Sequence, residues 1–160
     1  MHNDRSQIPP LSYLRAWTLF VGYIPFAFLL FDPKIETGIL AWLSVPLWLI
    51  GGIAILWCFW DFIVKGRGTP APIDPPKELV ASGLYRFVRN PMYVGVLMML
   101  FGHFLWFGFW SLLTYSLFFF AAFHLFVIGY EEPNLRKRFG AAYEGYCRDV
   151  PRWMPRFTRK

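Results

Sequence analysis

The chain predicts an all-α fold: a multi-span membrane protein of about four transmembrane helices, with a helical hairpin and an amphipathic cytoplasmic C-terminal helix. Three observations predict it. Hydrophobic residues make up 56% of the chain and aromatic ones 21%, against 16% charged, whereas a soluble domain has about 45–50% apolar and about 25% charged residues. The apolar residues also gather into nearly charge-free blocks of roughly 16 to 40 residues, and about 18 suffice for a span. Finally, the net charge of +6 is concentrated at 65–89 and 136–160, outside those blocks. Basic residues collect in the cytoplasmic loops of membrane proteins. That rule accounts for the charge without nucleic acid, and no nucleic-acid partner is expected.

The first block, 16–31, is short for a bilayer core of about 30 Å, so Arg15 is expected to snorkel and Tyr13 and Trp17 to sit at the interface. Pro25 removes a helical hydrogen bond and predicts a kink. The preceding "MHNDRSQIPP" lacks the features of a signal peptide. The second block, 39–64, spans fully, and Gly51 and Gly52 leave room for another helix backbone to approach. The Pro- and Gly-rich stretch "KGRGTPAPIDPPKELVASG" cannot lie in lipid, because its irregular backbone would be unsatisfied there. The third block, 91–130, would measure about 60 Å as one helix, twice the core thickness. "WFGFWS" supplies Gly108 and flanking tryptophans for a reversal, so a helical hairpin is expected. In the tail, Leu135, Phe139, Ala142, Tyr143 and Tyr146 recur at helical spacing.

The basic count sets orientation. Loop 32–38 holds Lys34 and the hairpin tip holds none, whereas 65–89 holds Lys65, Arg67, Lys77, Arg86 and Arg89. Both termini of this integral membrane protein are expected to be cytoplasmic. Cys58 and Cys147 share no metal-like spacing and suggest no disulfide framework.

This topology brings "YRFVRNPMYVG" and "YEEPNLRKRFG" to one membrane face. Glu131 and Glu132 end a span, where ionisable residues carry a functional expectation. Their available partners are Arg136 and Arg138 on the following turns and Arg86 and Arg89 across the hairpin. A pair of acids neutralised by neighbouring arginines is the plainer alternative. His124 lies about two turns before the acids and could border the same cavity. His103 reads as a packing histidine. No metal-ligand spacing and no nucleotide-binding motif appears.

The ordered set "GRGTPAP…PPKELVASGLYRFVRNPMYVG…EEPNLRKRFGAAYEGYCRDVPRWMP" resembles the isoprenylcysteine carboxyl methyltransferase family of integral membrane methyltransferases, especially its short bacterial type. The likeness covers roughly residues 66–156. It implies an S-adenosylmethionine-dependent methyltransferase acting on a small lipophilic or lipid-like substrate drawn from the bilayer, with carboxylate O-methylation favoured. It divides the chain into 1–64, an N-terminal region with two spans, and 65–160, a catalytic region. Arg89, Asn90, Pro91, Tyr93 and Gly95 match the motif that shapes the cofactor pocket. Glu131 and Glu132 match the acidic pair near the cofactor, with Glu132 the expected contact and, with Arg138, the expected catalytic group. Arg138, Tyr143 and Tyr146 match the tail motif, where an arginine orients a substrate carboxylate. Asn90 stands where the family often has His; it offers a donor and an acceptor but cannot titrate.

Two other readings compete. Sterol reductases share a similar "GLYRxxRxPxYxG" run and bind NADPH, but they are longer and tend to carry an Arg-Asp pair where this chain has Glu131-Glu132. A non-catalytic lipid-binding protein of the same fold would not need all three polar motifs together.

Overall fold

The computed structural model describes residues 38–66 and 78–155, together with Leu19 and Ala27. The expected first span at 16–31, most of the loop carrying "GRGTPAP" and the last five residues of the tail fall outside the described residues. Among the described residues every regular element is helical.

Helix α1 (Ser44–Asp61) follows a 3₁₀ turn, Ile39–Leu43, and is prolonged by a wider π turn, Phe62–Gly66. Pro46 lies in its first turn, where a missing N–H breaks no helical bond. Ser44 Oγ donates to Ala41 O at 2.6 Å across the change of helix type. Helix α2 (Pro91–Phe107) begins on Pro91, whose fixed φ suits a first helical position. It ends on Gly108 at φ 72°, in the left-handed region, and the Gly108 N–H closes the last turn onto Phe104 O at 2.8 Å. The chain reverses there into α3 (Trp110–Phe126). The hairpin expected from "WFGFWS" is present, with its turn at the expected glycine.

Helices α1 and α2 form the most extensive helix pair. Gly51 and Gly95 make the close approach: a Cβ on Gly51 would stand 2.6 Å from Gly95 O, and one on Gly95 would stand 2.8 Å from Gly51 O. Gly52 has nothing within 4 Å of its Cβ position among the described residues, so the first glycine of the pair serves the contact with α2. Trp48 bridges the same helices by donating from Nε1 to Met99 O at 3.2 Å. Val96 and Leu100 of α2 are buried against Ile55, Tyr115, Phe119 and Phe123. The outward faces are apolar too: Ile53, Leu56 and Trp60 of α1 and Leu117, Phe118 and Leu125 of α3 are exposed. A water-facing surface of that kind is unusual, and lipid covers it without penalty. By length and composition, Ala41–Val64 and Trp110–Phe139 can cross a membrane; Pro91–Phe107 is a shorter apolar helix.

The polar end is built by local breaks in helical regularity. α3 widens into a π turn, Val127–Glu131, and resumes as α4 (Glu132–Phe139). Pro133 follows directly; it lacks an N–H for the preceding turn, and a π turn absorbs that loss. The tail was expected to be one amphipathic helix. It is two, because Gly140 at φ 51° stops α4 and starts α5 (Ala141–Asp149). Tyr143 is buried while Ala142 is exposed, so the register of the apolar stripe changes at the break.

Candidate functional site

Arg89 stands just ahead of α2, after the 3₁₀ turn Gly83–Arg86. That turn sits on the end of α1. Gly83 has φ 59°, and a Cβ there would run into the Asp61 carboxylate. Tyr85 beside it is buried with Cys58, Val80 and Met92, and burial pushes its phenol well above the ordinary range. These contacts carry Arg89 and Asn90 to the mouth of the hairpin, opposite the π turn that presents Glu131 and Glu132.

Glu132 is 3% exposed and sits among arginines. Its Oε1 accepts from Arg152 Nε at 2.7 Å and from Arg89 Nη1 at 3.1 Å. Its Oε2 accepts from Arg152 Nη2 at 3.1 Å and from Arg136 Nη2 at 3.5 Å. The hydrogen bond to Glu132 holds the Arg152 guanidinium above its ordinary pKa. A carboxylate so far from water needs such compensation. Arg89 also donates to Cys147 Sγ at 2.8 Å, while its buried Nε has no hydrogen-bond partner among the described residues.

The other acid is arranged differently. Glu131 Oε1 accepts from Tyr93 Oη at 2.7 Å, and it forms no ion pair among the described residues. The Tyr93 ring stacks on Phe123 with centroids 4.6 Å apart. The π turn thus directs two consecutive acids to different partners: Glu131 to α2, and Glu132 to the tail and the chain before α2.

The remaining expected residues are scattered about this centre. Asn90 donates from Nδ2 to Arg152 O at 3.2 Å. Pro91 caps the start of α2, and Gly95 faces Gly51 across the helix crossing. His124 Nδ1 accepts from Trp153 Nε1 at 3.1 Å. Tyr146 Oη donates to Tyr85 O at 2.6 Å, and Tyr143 is buried beside it with ring centroids 6.1 Å apart. Burial raises both tail phenols above the ordinary range.

Two of the arginines named from sequence lie elsewhere. Arg138 is exposed, its guanidinium 5.9 Å from the Phe139 ring, and Arg86 is exposed over Phe87 at 5.0 Å. Neither pairs with the acids. The partner missed is Arg152. It is 20 residues beyond Glu132 in sequence, too far for helical spacing to suggest, and its signal was only the docking residue Trp153 between two prolines. Asp61 is buried at 1% exposure at the end of α1, and the sequence pattern does not single it out.

Apolar helices able to cross a membrane, ending in a buried acid–arginine cluster, define a membrane protein with an ionic site at one end of its bundle. The model of the phospholipid methyltransferase family matches residues 39–142, well over half the chain. The chain belongs to the phospholipid methyltransferase family, the isoprenylcysteine-carboxyl-methyltransferase-like group of membrane methyltransferases whose motifs it carries. No solved structure matches it significantly.

Proposed function

We propose that the chain transfers a methyl group from S-adenosylmethionine to the carboxylate of a lipophilic acceptor, at the polar end of the hairpin. The observation that carries this reading is the Arg89–Glu132–Arg152 cluster with the Glu131–Tyr93 pair beside it, inside a methyltransferase family match.

The donor set fits the cofactor. Three guanidiniums face one carboxylate at Glu132, which leaves positive charge for the carboxylate of an amino acid. Glu131 accepts one hydrogen bond, from Tyr93, and keeps capacity for an amino or ribose group. The stacked Tyr93 and Phe123 rings offer aromatic faces that attract a cation. When bound, S-adenosylmethionine supplies an electrophilic methyl group in a direct displacement, so alignment provides much of the catalysis.

On this reading Glu132 is not the cofactor contact that the family resemblance implies. Its four accepted hydrogen bonds make it the residue that orients the arginines, and Glu131 becomes the acid turned to the ligand. Pro91 and Gly95 shape the site by fixing the start of α2 and its approach to α1. His124 and Asn90 hold the tail. Arg138 makes no ion pair among the described residues, so it is free to meet an acceptor carboxylate, while Tyr143 and Tyr146 line the side of Arg89 and Tyr85. A carboxylate is already ionised at neutral pH and needs no general base. The non-titrating Asn90 agrees with that.

The family's description favours a second acceptor, the amine of a phospholipid headgroup, with Arg138 on the phosphate. The experiment is a thermal-shift titration of the detergent-purified protein with S-adenosylmethionine, S-adenosylhomocysteine and NADPH, followed by transfer of labelled methyl to bilayer lipids. Stabilisation by the adenosyl compounds and label released as methanol in alkali support the carboxylate reading. Alkali-stable label means an amine acceptor, and stabilisation by NADPH alone means a reductase.

A further inference from the structure

We infer that Arg152 is a positioning residue: the segment 150–154 is a strap that sets the geometry of the cofactor site from outside the family's matched region. This rests on the methyltransferase reading above.

The strap leaves α5 when the Val150 N–H closes onto Tyr146 O at 2.9 Å, and Val150 is buried. Four successive contacts then land on residues of the site. Pro151 O accepts from the Arg89 backbone N–H at 2.9 Å. Arg152 O accepts from Asn90 Nδ2 at 3.2 Å. The Arg152 side chain binds both oxygens of Glu132. Trp153 donates to His124 and packs against Phe120 with ring centroids 5.5 Å apart. The strap therefore ties the chain before α2 to the end of α3, the two walls between which Glu131 and Tyr93 meet.

Arg152 is the member of this set with an orienting task. A guanidinium fork on a carboxylate fixes a plane as well as a distance. Glu132 held in that plane presents its second Oε1 lone pair to Arg89, and so fixes the Arg89 guanidinium. The Arg152 carbonyl takes one Asn90 amide N–H and so fixes the plane of that amide, whose oxygen and second N–H remain for a ligand. The family match ends at residue 142, eight residues before the strap begins.

The test uses full-length protein in detergent and measures dissociation constants for S-adenosylhomocysteine and S-adenosylmethionine by calorimetry, with Tm measured in parallel. Arg152→Gln is expected to raise both constants about tenfold or more, the scale on which small misplacements act. Arg152→Lys keeps the charge but lacks the fork, and should recover only part of the affinity. Met154→Ala, altering an exposed strap residue, should bind as wild type does. Dissociation constants unchanged in Arg152→Gln, with or without a lower Tm, would reduce Arg152 to a structural anchor and overturn the inference. If Arg152→Gln does not fold, Arg152→Lys decides: full wild-type affinity overturns it. Absence of binding by the wild type is a separate result, which overturns the donor reading and this inference with it.

Discussion

Arg152 grips Glu132 through two parallel hydrogen bonds, Nε to Oε1 at 2.7 Å and Nη2 to Oε2 at 3.1 Å. Arg89 shares Oε1 from the opposite side at 3.1 Å. A buried charge held this way is sensitive to loss of either partner, because the survivor keeps its desolvation penalty and loses its attraction. Several consequences of that arrangement can be measured.

Glu132→Ala should destabilise the protein strongly, by about 3–5 kcal/mol, as removing one partner of a buried ion pair does. Arg89 would be left 12% exposed at its side chain, without a counter-ion from Glu132. The measurement is Tm in detergent without ligand. A Tm equal to wild type would mean that Glu132 is not the clamp and is free for the cofactor.

Gly95→Ala and Gly52→Ala form a matched pair. At Gly95 a Cβ would stand 2.8 Å from a backbone oxygen that cannot move aside, whereas at Gly52 nothing lies within 4 Å. Overpacking at Gly95 should cost about 1–3 kcal/mol. Gly52→Ala should be neutral or stabilise by up to about 1 kcal/mol, since alanine is the better helix former. Equal Tm values for the two variants would dissolve the proposed helix crossing.

Tyr93→Phe removes the one hydrogen bond on Glu131 and leaves the ring stacked on Phe123. Hydrogen bonds to a charged group contribute about 1.5–3 kcal/mol, so the carboxylate should lose its fixed direction. Affinity for S-adenosylhomocysteine should fall about tenfold or more, with the aromatic packing intact. If calorimetry finds no change, Glu131 does not hold the ligand through this orientation.

Parts of this architecture were legible in the sequence because they are local. A charge-free block too long for one span, interrupted by Gly108 among tryptophans, has few foldings, and the hairpin follows. The approach at Gly51 was legible in kind, since small residues mark helix contacts, but two adjacent glycines could not say which one faces α2. The acid pair at the end of a span stood out by composition alone. Its partners did not. Arg136, Arg138, Arg86 and Arg89 were all in reach by helical spacing or across the hairpin, and only geometry separates Arg89 and Arg136 from the two that point away. Arg152 depends on where the chain goes after Gly140, where a positive φ breaks the tail helix and turns the strap back onto the site. Gly83 over Asp61 is hidden for the same reason: the contact joins distant segments and leaves no periodic trace.

Arg138→Ala should separate binding from turnover. Arg138 is exposed, touches Phe139 and makes no ion pair among the described residues, so its loss should change stability by no more than about 0.5 kcal/mol. It is also not one of the ion-pair partners of Glu132, so affinity for S-adenosylmethionine should match wild type. If its guanidinium orients an acceptor carboxylate, kcat/KM for a lipophilic carboxylate should fall about tenfold to a hundredfold, because a charge-assisted hydrogen bond is lost. Lysine at this position should restore part of the rate, since it keeps the charge without the planar fork. A variant that transfers methyl groups as fast as wild type would remove Arg138 from the acceptor side and with it the main support for a carboxylate. A variant that no longer binds the donor would place Arg138 with Arg89 and Arg152, on the other side of the transferred methyl.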